Sequence, residues 1–251
     1  MKILKYISLW TLILLSFSCK KAEERKCFKS TGNNVEITHH VPHDFDTLFL
    51  YDNLIYNLIQ DSVNKVILRG GENLLPLIQI DASNNGLSIK NNNTCNFLRS
   101  YKSKITAEVH FKEITFLHSE VTEQVKTLDT IRATEFRLFI RNGAGSTDLT
   151  IETGYLVGRV DQGYGDFTLK GNAIFGFFHC NTNSFCDTKD LHVKNWIKVV
   201  SNTAGDMVIN ADQSEVNAEI HRDGNIKYVG TPSQINLKNK GTGELIDCND
   251  E

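Results

Sequence analysis

A period of about twenty residues governs the second half of the chain. Turn-like groups fall at Ser146-Thr147-Asp148, Gly165-Asp166, Cys186-Asp187, Gly205-Asp206 and Gly224-Asn225. The acidic or amide residues that end them stand 18, 21, 19 and 19 residues apart. An apolar alternation follows each group: Leu149/Ile151, Phe167/Leu169, Leu191/Val193, Met207/Ile209 and Ile226/Tyr228. Strands and turns repeating at this interval, with no helical segment between them, fit a β-solenoid. One such unit cannot bury its apolar face alone. Units stacked about 4.8 Å apart can, with equivalent side chains in ladders. The expected fold is therefore all-β, a right-handed parallel β-helix with rungs of about twenty residues. An antiparallel sandwich is the rival, since it also yields many short strands; the periodic Gly-Asp turns favour the solenoid.

The first half has the same texture without the same period. Val35-Glu36-Ile37, Thr47-Leu48-Phe49-Leu50, Lys65-Val66-Ile67-Leu68, Ile78-Gln79-Ile80 and Leu87-Ser88-Ile89 read as strands. Gly70-Gly71-Glu72-Asn73 and Ser83-Asn84-Asn85-Gly86 read as turns. Val121, Val125 and Leu128 lie at helical spacing. Thr122, Thr127, Thr130 and Ile131 among them are β-branched, so this stretch is also read as strand. The prolines are Pro42, Pro76 and Pro232, and no Pro- or Gly-rich linker divides the chain. Residues 30–248 are thus taken as one β-helix domain, with a first half at 30–104 and the repeat-bearing half at 105–248.

The N-terminus is of another kind. Lys2 and Lys5 precede a run from Ile7 to Phe17 that is almost wholly apolar. About 11 apolar residues are too few to span a bilayer, which needs roughly 20. The pattern is that of a secretory signal over residues 1–18. The junction Leu15-Ser16-Phe17-Ser18-Cys19 resembles a bacterial lipobox, although its aliphatic residue sits one place further back than usual. Cys19 is expected to carry the lipid and to attach the chain to a membrane through its acyl groups. Residues 19–29 form a tether. Its Lys20–Lys26 stretch is similar to a Bacteroidota surface-export signal, and reads equally well as a plain solvated spacer. The location implied is an outer-membrane lipoprotein, facing either the cell surface or the periplasm.

Without residues 1–18 the net charge of −3 becomes −5. Nothing is strongly basic, which argues against nucleic acid as a partner. Export permits disulfides. Beyond Cys19 stand Cys27, Cys95, Cys180, Cys186 and Cys248, an odd number that leaves at least one thiol unpaired within the chain. The expected bridge is Cys27–Cys95. Cys180 and Cys186 either pair across a turn or fill the core as small side chains. Two cysteines alone do not make a structural zinc site.

Candidate chemistry is sparse. His39 and His43 are about 13 Å apart along an extended strand, so the His39/His40/His43 cluster reads as surface rather than as a metal site. Asp148, Asp166, Asp187 and Asp206 could form a carboxylate ladder on one turn line, with calcium as its conceivable occupant. The nine-residue Gly-Gly-x-Gly-x-Asp repeat of calcium β-rolls is absent. No Gly-x-Ser-x-Gly elbow, phosphate loop or Cys/His nucleophile stands out, no cofactor is implied, and the chain is not read as an enzyme. Phe175, Phe177, Phe178, Phe185 and Trp196 crowd two neighbouring rungs. Core filling accounts for most of them; an outward subset could stack on sugar rings or a partner, with Trp196 the first choice.

Gly163-Tyr164-Gly165-Asp166-Phe167-Thr168-Leu169 resembles the glycine-rich rungs of the head GIN domain family, described as putative auto-transporter adhesins. So does the tail Gly224-Asn225-Ile226-Lys227-Tyr228-Val229-Gly230-Thr231-Pro232, followed by Lys240-Gly241-Thr242-Gly243. Gly86-Leu87-Ser88-Ile89 and Asn93-Thr94-Cys95-Asn96-Phe97 fit the family's first half. The resemblance spans roughly Lys29 to Cys248. It implies a parallel β-helix and an envelope location, and brings no catalytic residues. The rung at Cys186-Asp187-Thr188 departs from the pattern by lacking a glycine. The function expected is non-catalytic binding of a glycan or surface partner. A carbohydrate-active enzyme and a structural protein whose open solenoid ends pair into oligomers are the alternatives.

Overall fold

The computed structural model describes residues 30–83, 85–94 and 104–249. The signal, the tether, the lipid on Cys19 and the Cys27–Cys95 bridge all lie outside the described residues. The rest is a β-solenoid of about seven turns, 67% strand. The first half supplies β1 (Asn34–His40), β2 (Thr47–Asp52), β3 (Ile55–Gln60), β4 (Lys65–Gly71), β5 (Ile78–Ser83) and β6 (Gly86–Asn91). Then come β7 (Thr106–Phe111), β8 (Phe116–Val121) and β9 (Val125–Thr127). The repeat forms β10 (Ile131–Gly143), β11 (Ser146–Gly163), β12 (Asp166–Thr182), β13 (Cys186–Thr188) and β14 (Leu191–Thr203). It closes with β15 (Met207–Asn210), β16 (Glu215–Ile220), β17 (Ile226–Val229), β18 (Gln234–Asn239) and β19 (Leu245–Asp247). The ambiguous stretch near Val121 is strand in β8 and β9, as β-branching predicts.

From β8 onward the described pairings are parallel and climb one rung at a time. One wall runs β8, β10, β11, β12, β14, β16, β18. The other runs β9, β11, β12, β13, β15, β17, β19. β11 and β12 are long enough to turn the corner and belong to both. The start of the fold departs from the expected parallel plan: β1–β4, β4–β7 and β5–β6 are antiparallel. Period-2 alternation is identical in the two arrangements, so the sequence pattern does not distinguish them. A charged chain covers the outer side of β1, β4 and β7. Glu36 and Glu108 accept from Arg69 at 2.8 and 2.7 Å, and His110 lies between Glu108 at 2.9 Å and Asp61 at 2.8 Å.

A single apolar core runs from Val41 to Ile226. Its ladders alternate large and small side chains. Gly158 stands between Leu138 and Phe178 in one row. A Cβ on Gly158 would meet the Phe167 ring at 3.0 Å, and one on Gly176 the Phe178 ring at the same distance. Both aromatic rings owe their room to a missing side chain. Hydroxyls that point inward are buried yet satisfied: Ser201 donates to the Gly224 carbonyl at 3.1 Å, Thr203 to Ser184 at 2.9 Å and Thr188 to Val208 at 3.1 Å.

Candidate functional site

The outward rows of the β8-to-β18 wall follow from strand alternation. In β11, Leu156, Gly158 and Val160 face in, leaving Tyr155, Val157 and Arg159 to face out. Parallel register then stacks three rows. The first is Glu135, Tyr155, Phe175, Trp196, Glu215. The second is Phe116, Arg137, Val157, Phe177, Lys198, Asn217. The third is His118, Phe139, Arg159, His179, Val200, Glu219. The centre of this wall is therefore mainly aromatic and aliphatic, with Arg159 among the rings, and its margins are charged.

The rings touch. Trp196 lies 5.5 Å from Phe175 and 6.3 Å from Tyr155, centroid to centroid. Phe116 meets Phe139 edge-on at 5.0 Å, and the Arg159 guanidinium sits 5.8 Å over the Phe139 ring. Each of these rings is half-buried, so part of each remains open to solvent. A bulge aims Trp196: between the Ala173↔Val193 and Phe175↔Trp196 pairs, β14 has one residue more than β12. Such an insertion bends the strand and redirects the following side chain. Arg137 is paired with Glu135 at 3.1 Å and Lys198 with Glu219 at 3.2 Å. His179 lies 6.3 Å from the Phe177 ring. Burial, then the charge of Arg159, holds its imidazole below the usual histidine range, so the ring is neutral at physiological pH. The charge at the centre of the wall is that of Arg159, which is paired with Asp161, and further hydrogen-bonding groups stand around its edge.

The four aspartates expected on one line occupy two. Phe167, Cys186 and Met207 are register partners, so the position before them reads Ser146, Asp166, Phe185, Asp206, Asn225. Asp148 and Asp187 fall two residues further along, in the row Asp148, Thr168, Asp187, Val208. The displacement comes from the third rung, where Ser184-Phe185 stands in the place that Gly205-Asp206 occupies in the next. The missing glycine of that rung is therefore Ser184, wholly buried, and the turn does not lie at Cys186-Asp187. Within each row the carboxylates are two rungs apart, roughly 10 Å.

Each of these carboxylates already has partners. Asp166 accepts the Phe185 N–H at 2.8 Å. Asp206 accepts the Asn225 N–H at 3.2 Å and the Lys227 ammonium at 2.8 Å. Asn225 accepts the Glu244 N–H in turn at 2.9 Å. This row ties the Asp166, Asp206 and Asn225 rungs each to the one above, and Phe185, which has no side-chain acceptor, interrupts it. Burial pushes the Asp166 carboxyl up; at Asp206 burial acts the same way, but Lys227 and Asn225 outweigh it and hold the group low. Asp148 pairs with Lys170 at 3.3 Å, and Asp187 accepts the Lys189 N–H at 3.0 Å. Among the described residues no three His, Cys, Asp or Glu side chains converge as metal ligands. His39, His40 and His43 are exposed and separate.

Carboxylates do gather in a cleft of about 430 Å³ near the antiparallel end, lined by Asp44, Phe45, Asp46, Asn85, Lys112 and Glu113. Lys112 donates to Asp44 at 2.8 Å and holds its carboxyl below the usual range.

Of the aromatics singled out from sequence, Phe178 is core and Phe185 is an exposed turn residue. Phe175, Phe177 and Trp196 share the outer wall. Sequence reading missed Tyr155, Phe139 and Phe116. Their signal was present as apolar residues at both phases of one strand, as in Tyr155-Leu156-Val157.

The family model described as putative auto-transporter adhesin, head GIN domain, matches residues 44–232. The chain belongs to this family. A comparison of this head GIN chain with curated proteins finds no match. Among solved structures, a putative adhesin from Bacteroides fragilis shares 19% identity, with 86% of this chain and 97% of that one covered, at a TM-score of 0.76. A putative adhesin from Parabacteroides merdae shares 16% identity over 88% and 98% of the two chains, TM-score 0.62. A putative lipid binding protein from Parabacteroides distasonis shares 14% over 88% and 98%, TM-score 0.58. At these identities the likeness is one of fold. The family carries an adhesin name rather than an enzyme name, which agrees with a place in the cell envelope.

Proposed function

We propose that this head GIN chain is a non-catalytic envelope protein, held to the outer membrane through a lipid on Cys19, that binds glycan on its aromatic wall. The observation that carries the reading is the open contact group of Tyr155, Phe175 and Trp196 on a sheet face. Sugar rings present flat C–H faces that stack on such rings, while Arg137, Lys198 and Asn217 supply hydrogen bonds to hydroxyls. A glycan array probed with the wild type and with Trp196→Ala tests it. Binding that falls at least about tenfold in the variant supports the reading. Binding that survives in both Trp196→Ala and Phe175→Ala puts the ligand elsewhere and ends it. Location is checked by treating intact cells with a protease that cannot cross the outer membrane: loss of the chain supports surface display, survival a periplasmic role.

A second reading rests on the acidic cleft. Glycoside hydrolysis needs two carboxyl groups about 5 to 10 Å apart. Asp46 and Glu113 are the pair such an enzyme would use, with Asp44 already committed to Lys112. Hydrolysis of a polysaccharide by the wild type, abolished in Glu113→Gln, would establish this reading; inactivity across a polysaccharide panel removes it.

A further inference from the structure

The aromatic wall does not end at β8. β8 pairs in parallel with β2, and β2 with β6, so the same outer face runs on into the first half of the fold. Register sets Phe49 of β2 beside His118, and Thr47 beside Phe116. Burial alternates along β2 so that Phe49 and Tyr51 face outward, each half-buried. The rings then meet in series. The Lys90 ammonium of β6 lies 4.7 Å over the Tyr51 ring, and Tyr51 lies 6.1 Å from His118. Phe49 is 5.8 Å from His118 and 6.4 Å from Phe116. Phe116 leads through Phe139 and Arg159 to His179 and Phe177. Phe175, two residues back on the same face of β12, leads to Trp196. This is one track crossing β6, β2, β8, β10, β11, β12 and β14. At the usual strand spacing it covers roughly 29 Å along the solenoid axis, and it also steps about six residues along the strands, roughly 20 Å. It is therefore diagonal, roughly 35 Å long. Polar residues close both ends: Gln79 and Asp81 of β5, paired with Lys90 and Ser88, and Glu215 and Asn217 of β16.

We propose that the ligand of this wall is a long, uncharged glycan chain that lies diagonally along the whole track, from Trp196 to Tyr51 and Lys90. The proposal rests on the glycan reading and adds the chain's length, path and charge. Length and path follow from the series of rings, which is narrow at every strand and continuous across them. The charge follows from the pairing of the track's own ions. Arg137 stands against Glu135, Arg159 against Asp161, Lys198 against Glu219 and His118 against Glu120 at 2.9 Å. A track neutralised from within complements a neutral polymer and gives a polyanion little to bind. The same pairs disfavour a protein partner. Closing a protein surface over them would strip water from both charges of each pair, a cost that their attraction seldom recovers. Sugar hydroxyls would instead take up hydrogen bonds to these groups while the flat faces of the sugars stack on the rings between them. Each stack is weak, and a chain joins them covalently, so affinity should climb with chain length until the track is covered.

The test uses the full chain purified from cells, with size-fractionated β-glucan, xylan and mannan fragments as probes and a polyuronic acid as the charged comparison. For the neutral polymer that binds, fragments able to reach Tyr51 should bind at least about tenfold more tightly than fragments that cover only Tyr155, Phe175 and Trp196. Tyr51→Ala and Phe116→Ala should remove that gain and leave the short fragments unchanged, whereas Trp196→Ala should weaken both lengths. Equal affinity at the two lengths overturns the proposal, and so does tighter binding of the polyuronic acid. Loss of binding in Trp196→Ala with none in Tyr51→Ala or Phe116→Ala overturns the track alone and leaves the glycan reading standing. Binding of no probe, or binding indifferent to Trp196, defeats the glycan reading and the track with it. Wild-type protein supplies a second measurement that needs no variant. Lys90 is exposed at the far end of the track and Lys198 lies beside Phe177 near Trp196. Long fragments should slow acetylation of both lysines several-fold, and short fragments that of Lys198 alone, with Lys240 as the unshielded reference. Lys90 acetylated at the same rate with and without a bound long fragment overturns the proposal.

Discussion

Asp166 and Asp206 occupy one ladder position and answer to pH in opposite ways. Asp166 caps the Phe185 N–H, pairs with no cation among the described residues, and has its carboxyl raised above the ordinary value of 3.8 by burial. A raised folded value means that its contribution is fully present below about 3.8 and is lost as pH rises through the folded value. At neutral pH the ionised group is a cost. Asp166→Asn keeps an acceptor for the N–H and removes that cost, so it should raise the urea midpoint at neutral pH, with the gain disappearing in acid. Asp166→Ala removes the acceptor too and should cost about 1–3 kcal/mol in the same assay. Asp206 is held low by Lys227 and Asn225, so its contribution is present above 3.8 and is lost as pH falls through the folded value. Asp206→Asn should therefore destabilise at neutral pH, by under about 1 kcal/mol because the ion pair is partly exposed. A backbone position offers a sharper test. Gly171 has φ of +107°, and a Cβ there would lie 2.2 Å from the Ile151 carbonyl oxygen. Gly171→Ala should cost well over about 1 kcal/mol, read from the same denaturation curves.

At the scale of the strand, inward and outward side chains of one segment should separate stability from binding. Phe178 faces the core and is fully buried, and Phe178→Ala should cost about 3–5 kcal/mol. Trp196 faces outward from the next rung, half-exposed, and Trp196→Ala should leave the melting temperature within a few degrees of wild type while it weakens glycan capture. The strands themselves could be read from alternation, and so could the twenty-residue stacking. The register could not. Reading Asp166 and Asp187 as equivalent was reasonable while Gly-Asp was the only marker of the turn. Ser184-Phe185 hides that marker in the third rung, because a buried serine bonded to Asn181 takes the glycine's place. The aromatic wall was half legible for a similar reason. Phe175 and Phe177 are neighbours in sequence, but Tyr155 and Trp196 meet only when rungs twenty residues apart are stacked in the correct register. The antiparallel β1, β4 and β5 left no mark in the pattern, since a half-buried strand alternates identically whichever way its partner runs.

The molecule as a whole is close to one-dimensional: beyond the antiparallel end, each rung pairs only with the rungs before and after it. Stability should therefore grade along the axis. The central strands β11, β12 and β14 are covered on both edges, whereas among the described residues no further rung pairs with β18 and β19, and Leu237 is 48% exposed although its row is inward. Hydrogen exchange followed by mass spectrometry should show slow exchange in peptides from 131–203 and exchange several orders of magnitude faster in 234–247; uniform protection would mean that the stack opens as one unit. Lys238 and Lys240 on the last described rung are the kind of charged residues that discourage edge-to-edge pairing of strands. The ladder of side-chain caps, in which Asp206 serves Asn225 and Asn225 serves Glu244, asks of each of these rungs only an acceptor for the next and a donor for the last. A gene that duplicated or lost one such unit in frame would change the rod's length by about 4.8 Å and leave every other rung its neighbours. Homologous rods of different lengths are thus a single mutational step apart, and the aromatic wall can lengthen or shorten with them.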